Sequence, residues 1–420
     1  VQSSILVPRK ARIATDISTR RATASAQFDL RGPIMNAPFL ATASSLRDIG
    51  EWTDWQWQQR HSIRTLDDIC RVFPDLPAAL IEKHLSQRKI QITPYFAGLI
   101  HQTSDAGSVF DNPLARQVLP YWDEELDGGY DASTDNWELD HEMKSPICQH
   151  KYDNRVILRI ANTCNAYCQF CFEALRTIEV KSSKATTKQD NWQRTLDYIG
   201  SASGLEEVIF SGGEPLIVAD AKIERYLADV RQVRPDILLR VHSRILSFNP
   251  FRVTDELVEA LDRHGVNAFG IHICHPAEIT DDFVRSLRKI QSAVPITFAN
   301  IPLLRNVNDN YETLTELFLS LYRVGIVPYY LYHYMPLSPG SAEYSSSIRS
   351  MIEIMKRIKR RKSNIAVPEY VLPHRKGKFT VPLITEPDDV PLFGEDDQGL
   401  PQYVFKNWQG ETCVWREYNQ

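Results

Sequence analysis

Three of the chain's seven cysteines, Cys164, Cys168 and Cys171, fall within the stretch RIANTCNAYCQFCFEALR, spaced C-x3-C-x2-C. Thiolates at such short loop spacings are what iron–sulfur clusters use. A fourth cysteine would close a cubane cluster. Three leave one iron without a protein ligand, and that iron becomes a place for substrate. Structural zinc is the competing reading, but it normally takes four Cys or His ligands, and the nearby His150 would have to reach across a strand. The remaining cysteines, Cys70, Cys148, Cys274 and Cys413, are scattered along the chain. That pattern fits a reducing compartment, hence the cytoplasm, with one metal or redox site rather than a disulfide framework.

A second stretch, FSGGEPL, follows at Phe210–Leu216. Adjacent Gly212 and Gly213 let a ligand come close to the backbone, and Glu214 can accept hydrogen bonds from an ammonium. Many strand–helix turns carry paired glycines, so the weight of this motif comes from its place after the strand that follows the cysteine loop.

These residues need elements to position them. Short β-type runs are expected over Val156–Ile160, Glu207–Ser211, Ile237–Ser243, Asn267–Ile273, Ile296–Ile301 and Pro328–Tyr332. Amphipathic helices are expected over Lys188–Gly200, Lys222–Val233, Asp255–His264, Asp281–Ala293, Tyr311–Val324 and Ser347–Arg361. This alternation predicts an α/β fold, a partial (β/α)6 barrel with right-handed crossovers and ligands at the carboxyl ends of its strands. The expected organisation is an N-terminal arm at 1–50, a helical region at 51–145, the barrel at 146–385 and a short extension at 386–420 ending in a hairpin that turns at Gln409–Gly410. The acidic, turn-rich run Asp123–Glu142 reads as a surface loop or linker. The net charge of −5 supplies no field for nucleic acid. No apolar run reaches the length of a membrane span. The Arg- and Ser-rich start has weak transit-peptide character, and a floppy basic arm is the plainer reading.

Taken together, the cysteine spacing and the GGE turn resemble the radical S-adenosylmethionine (SAM) superfamily. The segments WTDWQWQQRHSIRTL, HKYDNRVILRIANTC, HSRILSFNPFRVTDELV, HICHPAEIT, IPLLRNVND, VPYYLYHYMPLSPG and GKFTVPL, in that order, are similar to counterparts in the lysine 2,3-aminomutase family. The resemblance implies a radical SAM barrel, a [4Fe–4S] cluster, SAM and pyridoxal 5′-phosphate (PLP). It implies that a 5′-deoxyadenosyl radical takes a hydrogen from the β-carbon of a PLP-bound amino acid, whose nitrogen then migrates from the α- to the β-carbon. By the same resemblance Cys164, Cys168 and Cys171 hold the cluster, and Ser211, Gly212, Gly213 and Glu214 line the amino-acid end of SAM. His275 and Asn300 contact SAM, Asn300 standing where the family has glutamine. His275 could instead cap the Pro-Ala-Glu turn, and Asn300 could satisfy local backbone. Lys378 matches the PLP lysine, with Lys376 its rival. Arg155 matches an arginine at the PLP phosphate, and Lys151 replaces a second one, keeping the charge without the bidentate fork.

The chain departs from the family around the substrate. Glu173 stands where the family's arginine grips the amino acid's carboxylate. It would repel that carboxylate by about 4 kcal/mol at a partly shielded site, leaving Arg176 or another group to bind it. The aspartates that meet lysine's distal ammonium are missing: one stretch reads YHYMPLSPG, with Met335 and Pro336, and the other YVLPHRKGK. An ammonium left unpaired there is poorly accommodated, which argues against L-lysine. The family's glycine run is replaced by His374, Arg375 and Lys376. Either the site has exchanged polarity, with Glu173 and Arg375 facing the substrate, or the rebuilt loop points to solvent.

The sequence thus predicts an enzyme, a PLP-dependent radical SAM 2,3-aminomutase for a small amino-acid-like substrate, served by an external one-electron reductant. A lyase, epimerase or other rearrangement with PLP absent or repurposed is the alternative, and a non-catalytic iron–sulfur or zinc protein a third. The family tends to self-associate, which makes a homodimer one expectation. Its C-terminal zinc site has no counterpart beyond Cys413.

Overall fold

A computed structural model describes residues 49–104, 108–120, 138–178, 188–335, 340–374, 376–383, 392–407 and 410–416. The arm at 1–48, Arg375, Pro336 and most of the acidic run lie outside the described residues.

One sheet organises the molecule. Its strands run in chain order: β1 (Met143–Ser145), β2 (Cys148–Tyr152), β3 (Arg155–Arg159), β4 (Glu207–Ser211), β5 (Leu238–Ser243), β6 (Ala268–His272), β7 (Ile296–Pro302), β8 (Val327–Tyr332), β9 (Glu369–His374) and β10 (Gly377–Thr380). Pairing is parallel from β3 through β9, while β1, β2 and β10 run antiparallel to their neighbours. The six strand–helix units read from the sequence are present. The sequence reading missed β9, a further parallel strand. It also missed the antiparallel strands at either edge, which are too short or too polar to show an alternating pattern.

Helices cover the sheet because their apolar residues recur at helical spacing. Asp281–Ala293 buries Phe283, Leu287 and Ile290, and its start is fixed by the Thr280 hydroxyl accepting from the Phe283 N–H at 3.1 Å. Thr254 and Asn310 cap the helices Asp255–Arg263 and Tyr311–Arg323 in the same way. The strands contribute Val208, Phe210, Leu239, Val241, Phe269 and Ile271 to the shared core.

The N-terminal helices, among them Leu66–Val72, Ala78–Gln87 and Pro94–Thr103, form a second core around Ile69, Ile81, Phe96 and Ile100. That core also takes in Ala166 of the cysteine loop. Gln91 donates to the carbonyls of Cys164 at 2.8 Å and Asn165 at 3.1 Å, and the Tyr167 N–H donates to the Gln91 carbonyl at 3.0 Å. The helical region therefore braces the loop that carries the thiols.

Toward the C-terminus β11 (Leu392–Glu395), β12 (Pro401–Lys406) and β13 (Thr412–Arg416) form a separate antiparallel sheet. The expected hairpin is β12–β13, and β11 was not foreseen. The end of the acidic run turns inward rather than lying on the surface: Glu138 and Glu142 are buried and paired with basic residues.

Candidate active site

The cysteine loop leaves the end of β3 and is held against the end of β4. Gly213 donates its N–H to the Ala161 carbonyl at 2.6 Å, and Glu214 to that of Thr163 at 2.8 Å. A Cβ on Gly212 would stand 2.4 Å from the Ala161 oxygen, and one on Gly213 2.5 Å from the Thr163 oxygen. Gly212 also has φ +137°, which L side chains rarely adopt. The paired glycines thus let the loop lie directly on the strand end. Ser211 accepts the Ile160 N–H at 3.0 Å through its carbonyl. Glu214 is buried and accepts from the Ser243 hydroxyl at 2.7 Å, the Arg244 N–H at 2.9 Å and the Leu216 N–H at 3.0 Å. Burial outweighs these bonds and lifts its carboxyl to about 6.

Burial and the neighbouring thiols push Cys164 well up, and burial followed by Cys168 pushes Cys171 to about 12. Arg244 donates to the Cys168 sulfur at 2.8 Å and opposes the same rise there. Three shielded thiols that disfavour one another's ionisation are a donor set suited to a cationic partner, which favours the thiolate form. His150 is engaged elsewhere, with the Tyr198 hydroxyl and the Asp153 carbonyl.

A cavity of about 430 Å³ is lined by the cysteine loop, by the inward faces of the strands and by β10. Of the residues singled out in the sequence, Lys151, Arg155, Cys168, Cys171, Glu173, Asn300, Met335, His374 and Lys378 line it. Cys164, Ser211, Gly212, Gly213, Glu214 and His275 are not among the lining residues. His275 starts the Pro276–Glu278 turn, where its Nδ1 accepts the Ala277 N–H at 3.2 Å. The capping role read beside its SAM role is therefore present. Asn300, on β7, is buried, and its Oδ1 meets no hydrogen-bond donor among the described residues. Lys376 is exposed and outside the lining.

Lys378, on β10, places its Nζ 4.3 Å from the ring centroid of Tyr330, 5.7 Å from that of Tyr152 and 5.9 Å from that of Tyr332. Loss of water around the amine, reinforced by Arg155 and Arg240, pulls its ammonium down to about 8. Cations beside a lysine whose amine is partly deprotonated near neutral pH are what an aldehyde cofactor bearing a phosphate requires, so these residues fit PLP.

Across the cavity, Arg159 donates to Glu173 from Nη2 at 2.7 Å and from Nε at 3.0 Å. Arg159 also holds Gln149 at 2.7 Å, and Glu138 bridges it to Arg176. Arg176 is thus fixed behind the wall, donating to Glu138 at 2.6 Å and to the Pro146 carbonyl at 2.7 Å. The sequence reading that let it reach the substrate is corrected by this placement. Arg159, Arg240 and the tyrosine cage were not singled out from the sequence. Their one signal was Arg240 and His242 alternating with buried Leu239 and Val241 on β5.

The Radical SAM superfamily profile matches residues 158–318, from β3 to the helix before β8. L-lysine 2,3-aminomutase of Escherichia coli (strain K12) is 34% identical over 262 residues, covering 62% of this chain and 74% of that protein. The chain belongs to the lysine 2,3-aminomutase family. L-lysine 2,3-aminomutase of Clostridium subterminale is 28% identical over 370 residues, 87% of this chain and 85% of that protein. That of Methanococcus maripaludis is 27% identical over 373 residues, 86% and 81%. Membership in the radical SAM superfamily implies a [4Fe–4S] cluster, SAM, a small-molecule substrate and an external reductant. No helix among the described residues is long and apolar enough to cross a membrane.

Proposed function

We propose that the protein is a PLP-dependent radical SAM 2,3-aminomutase that converts an α-amino acid other than free L-lysine to a β-amino acid. The observation that carries this reading is the Lys378 amine, held among three tyrosine rings at one end of a cavity whose other end is the cysteine loop. The bound cofactors would supply a carbon radical for hydrogen abstraction and the electron delocalisation that nitrogen migration needs. In this reading Cys164, Cys168 and Cys171 hold the cluster. Ser211, Gly212, Gly213, Glu214, His275 and Asn300 serve SAM. Lys378 anchors PLP, and Arg155 and Lys151 serve its phosphate.

Among the described residues that line the cavity, Glu173 is the one carboxylate, and it is already paired with Arg159. Glu369, at the start of β9, is not among the lining residues, so a distal ammonium would find no carboxylate in the described lining besides the paired Glu173, which supports a substrate other than lysine. The spread of the cysteines supports a cytoplasmic location.

Reductive trapping tests the reading. The protein is reconstituted anaerobically with iron, sulfide and PLP, reduced with borohydride, digested and searched for a pyridoxyl-lysine peptide. A label on Lys378 is expected. Label absent, or scattered over surface lysines, would sink the aminomutase reading and favour a lyase, epimerase or other rearrangement on the same barrel.

A further inference from the structure

A substrate whose amino group is held at Lys378 and whose neighbouring carbon faces the cysteine loop must span the cavity between them. Two walls flank that path. One is aromatic: Tyr330, Tyr332 and Tyr334 from β8 and the residues just beyond it, with Phe170. The other is polar: Gln149 on β2, Arg159 at the end of β3 and Glu173 at the cap of the short helix Ala174–Thr177. A carboxyl substituent is placed against the second wall, which holds a guanidinium and an amide, whereas the aromatic wall offers phenol hydroxyls alone.

That wall contains a guanidinium, but its charge is already used. Arg159 is 3% exposed, and Glu173 covers it through both carboxylate oxygens, at 2.7 and 3.1 Å. Behind the wall the charges alternate in sign, Glu173–Arg159–Glu138–Arg176, and sum to zero. The face presented to the cavity is therefore a carboxylate, Glu173, still 11% exposed and able to accept further hydrogen bonds. Among the described residues, the other arginines of the lining and Lys151 are engaged elsewhere. Arg240 pairs with Glu207, and Arg244 with Glu278 and the Cys168 sulfur. Lys151 pairs with Glu142, and Arg155 stands by Lys378 over the Tyr152 ring.

From this geometry we infer that the substrate enters with its carboxyl group masked as an amide, whose N–H donates to Glu173. A free carboxylate would meet like charge at that position, whereas an amide N–H meets an acceptor and leaves the Arg159–Glu173 pair intact. The substrate class is then an α-aminoacyl amide, yielding a β-aminoacyl amide. This rests on the aminomutase reading, since it takes Lys378 as the anchor of the amino group.

The test is calorimetric binding to the reconstituted protein of α-amino acids, each paired with its own primary amide, in the native chain and in Glu173→Gln. An amide's amine is less basic than that of its parent acid, but equally so in both proteins. The change in the amide-to-acid affinity ratio between the two proteins therefore reports Glu173 alone. In the native chain the amide is expected to bind at least about tenfold tighter, and Glu173→Gln to reduce that ratio by about tenfold or more, chiefly by admitting the acid. A native chain that binds the acid as well as the amide overturns the inference. So does a ratio that Glu173→Gln leaves unchanged, or a panel in which no pair binds. Borohydride labelling of Lys378 on the same samples is read separately, so failure of the amide preference and failure of the aminomutase reading are told apart. Should Glu173→Gln fold poorly, Glu173→Leu supplies the second ratio, and the same reduction is expected of it.

Discussion

The Nζ of Lys378 stands 4.3 Å from the ring centroid of Tyr330, with the rings of Tyr152 and Tyr332 closing the same cage. Lys378 stays exposed along part of its length, but partial shielding of the amine by the rings, with like charge from Arg155 and Arg240, draws its ammonium down to about 8. Only a neutral amine attacks an aldehyde. Modification of Lys378 by PLP and borohydride should therefore rise through a midpoint near 8, well below that of surface lysines. Tyr330→Ala readmits water and should move the midpoint upward. Peptide mapping across a pH series checks both, and a midpoint that stays with the surface lysines would show that the cage does not act on the amine.

Gly212 and Gly213 predict a structural penalty with a chemical readout. An added methyl at Gly213 would meet the Thr163 carbonyl at 2.5 Å, and the segment that must give way leads directly into Cys164. Gly213→Ala should cost about 2 kcal/mol of stability and lower the iron and sulfide retained after reconstitution. Urea melts and iron analysis measure the two effects. Normal iron content with a normal melt would mean that the loop shifts without consequence.

How much of this was legible in the sequence follows from the range of the interactions. The thiol spacing, the glycine turn and the six strand–helix units are local patterns, and each stands where the chain placed it. The Arg159–Glu173 pair joins the end of β3 to a cap beyond the cysteine loop, and Glu138 reaches it from a run that looked like a surface linker. No periodicity reports a pairing that only the folded loop creates. For the same reason β9 and β10 were missed: Pro373 and the charged HRKGK stretch argue against strand, and tertiary pairing overrides them. Lys378 was found through family likeness, because its tyrosine cage is assembled from two strands, β2 and β8, that are distant in the chain from its own β10.

His275 separates a cap from a ligand contact. Its ring accepts the Ala277 N–H, so His275→Ala should cost about 1 kcal/mol, whereas His275→Asn preserves the cap. In the proposed role the Asn variant should melt like the native chain yet bind SAM more weakly. Thermal melts with SAM titration decide it. An Asn variant with native SAM affinity would leave His275 a capping residue alone.

The Arg159–Glu173 pair carries a stability prediction of its own, because a buried ion pair is costly to break from one side only. Arg159→Met leaves Glu173 and Glu138 in a shielded site with their shared cation gone, and should destabilise the fold by about 3–5 kcal/mol. Glu173→Leu alone leaves Arg159 with Glu138 and Gln149, so its cost should be smaller. Removing both groups should cost less than the sum of the two single changes, since the second change relieves a charge that the first stranded. Urea denaturation of the two single variants and the double variant measures the coupling. Additive costs would mean that the two side chains touch without depending on each other, and the charge balance of the cavity wall would then have to be sought in Glu138 and Arg176.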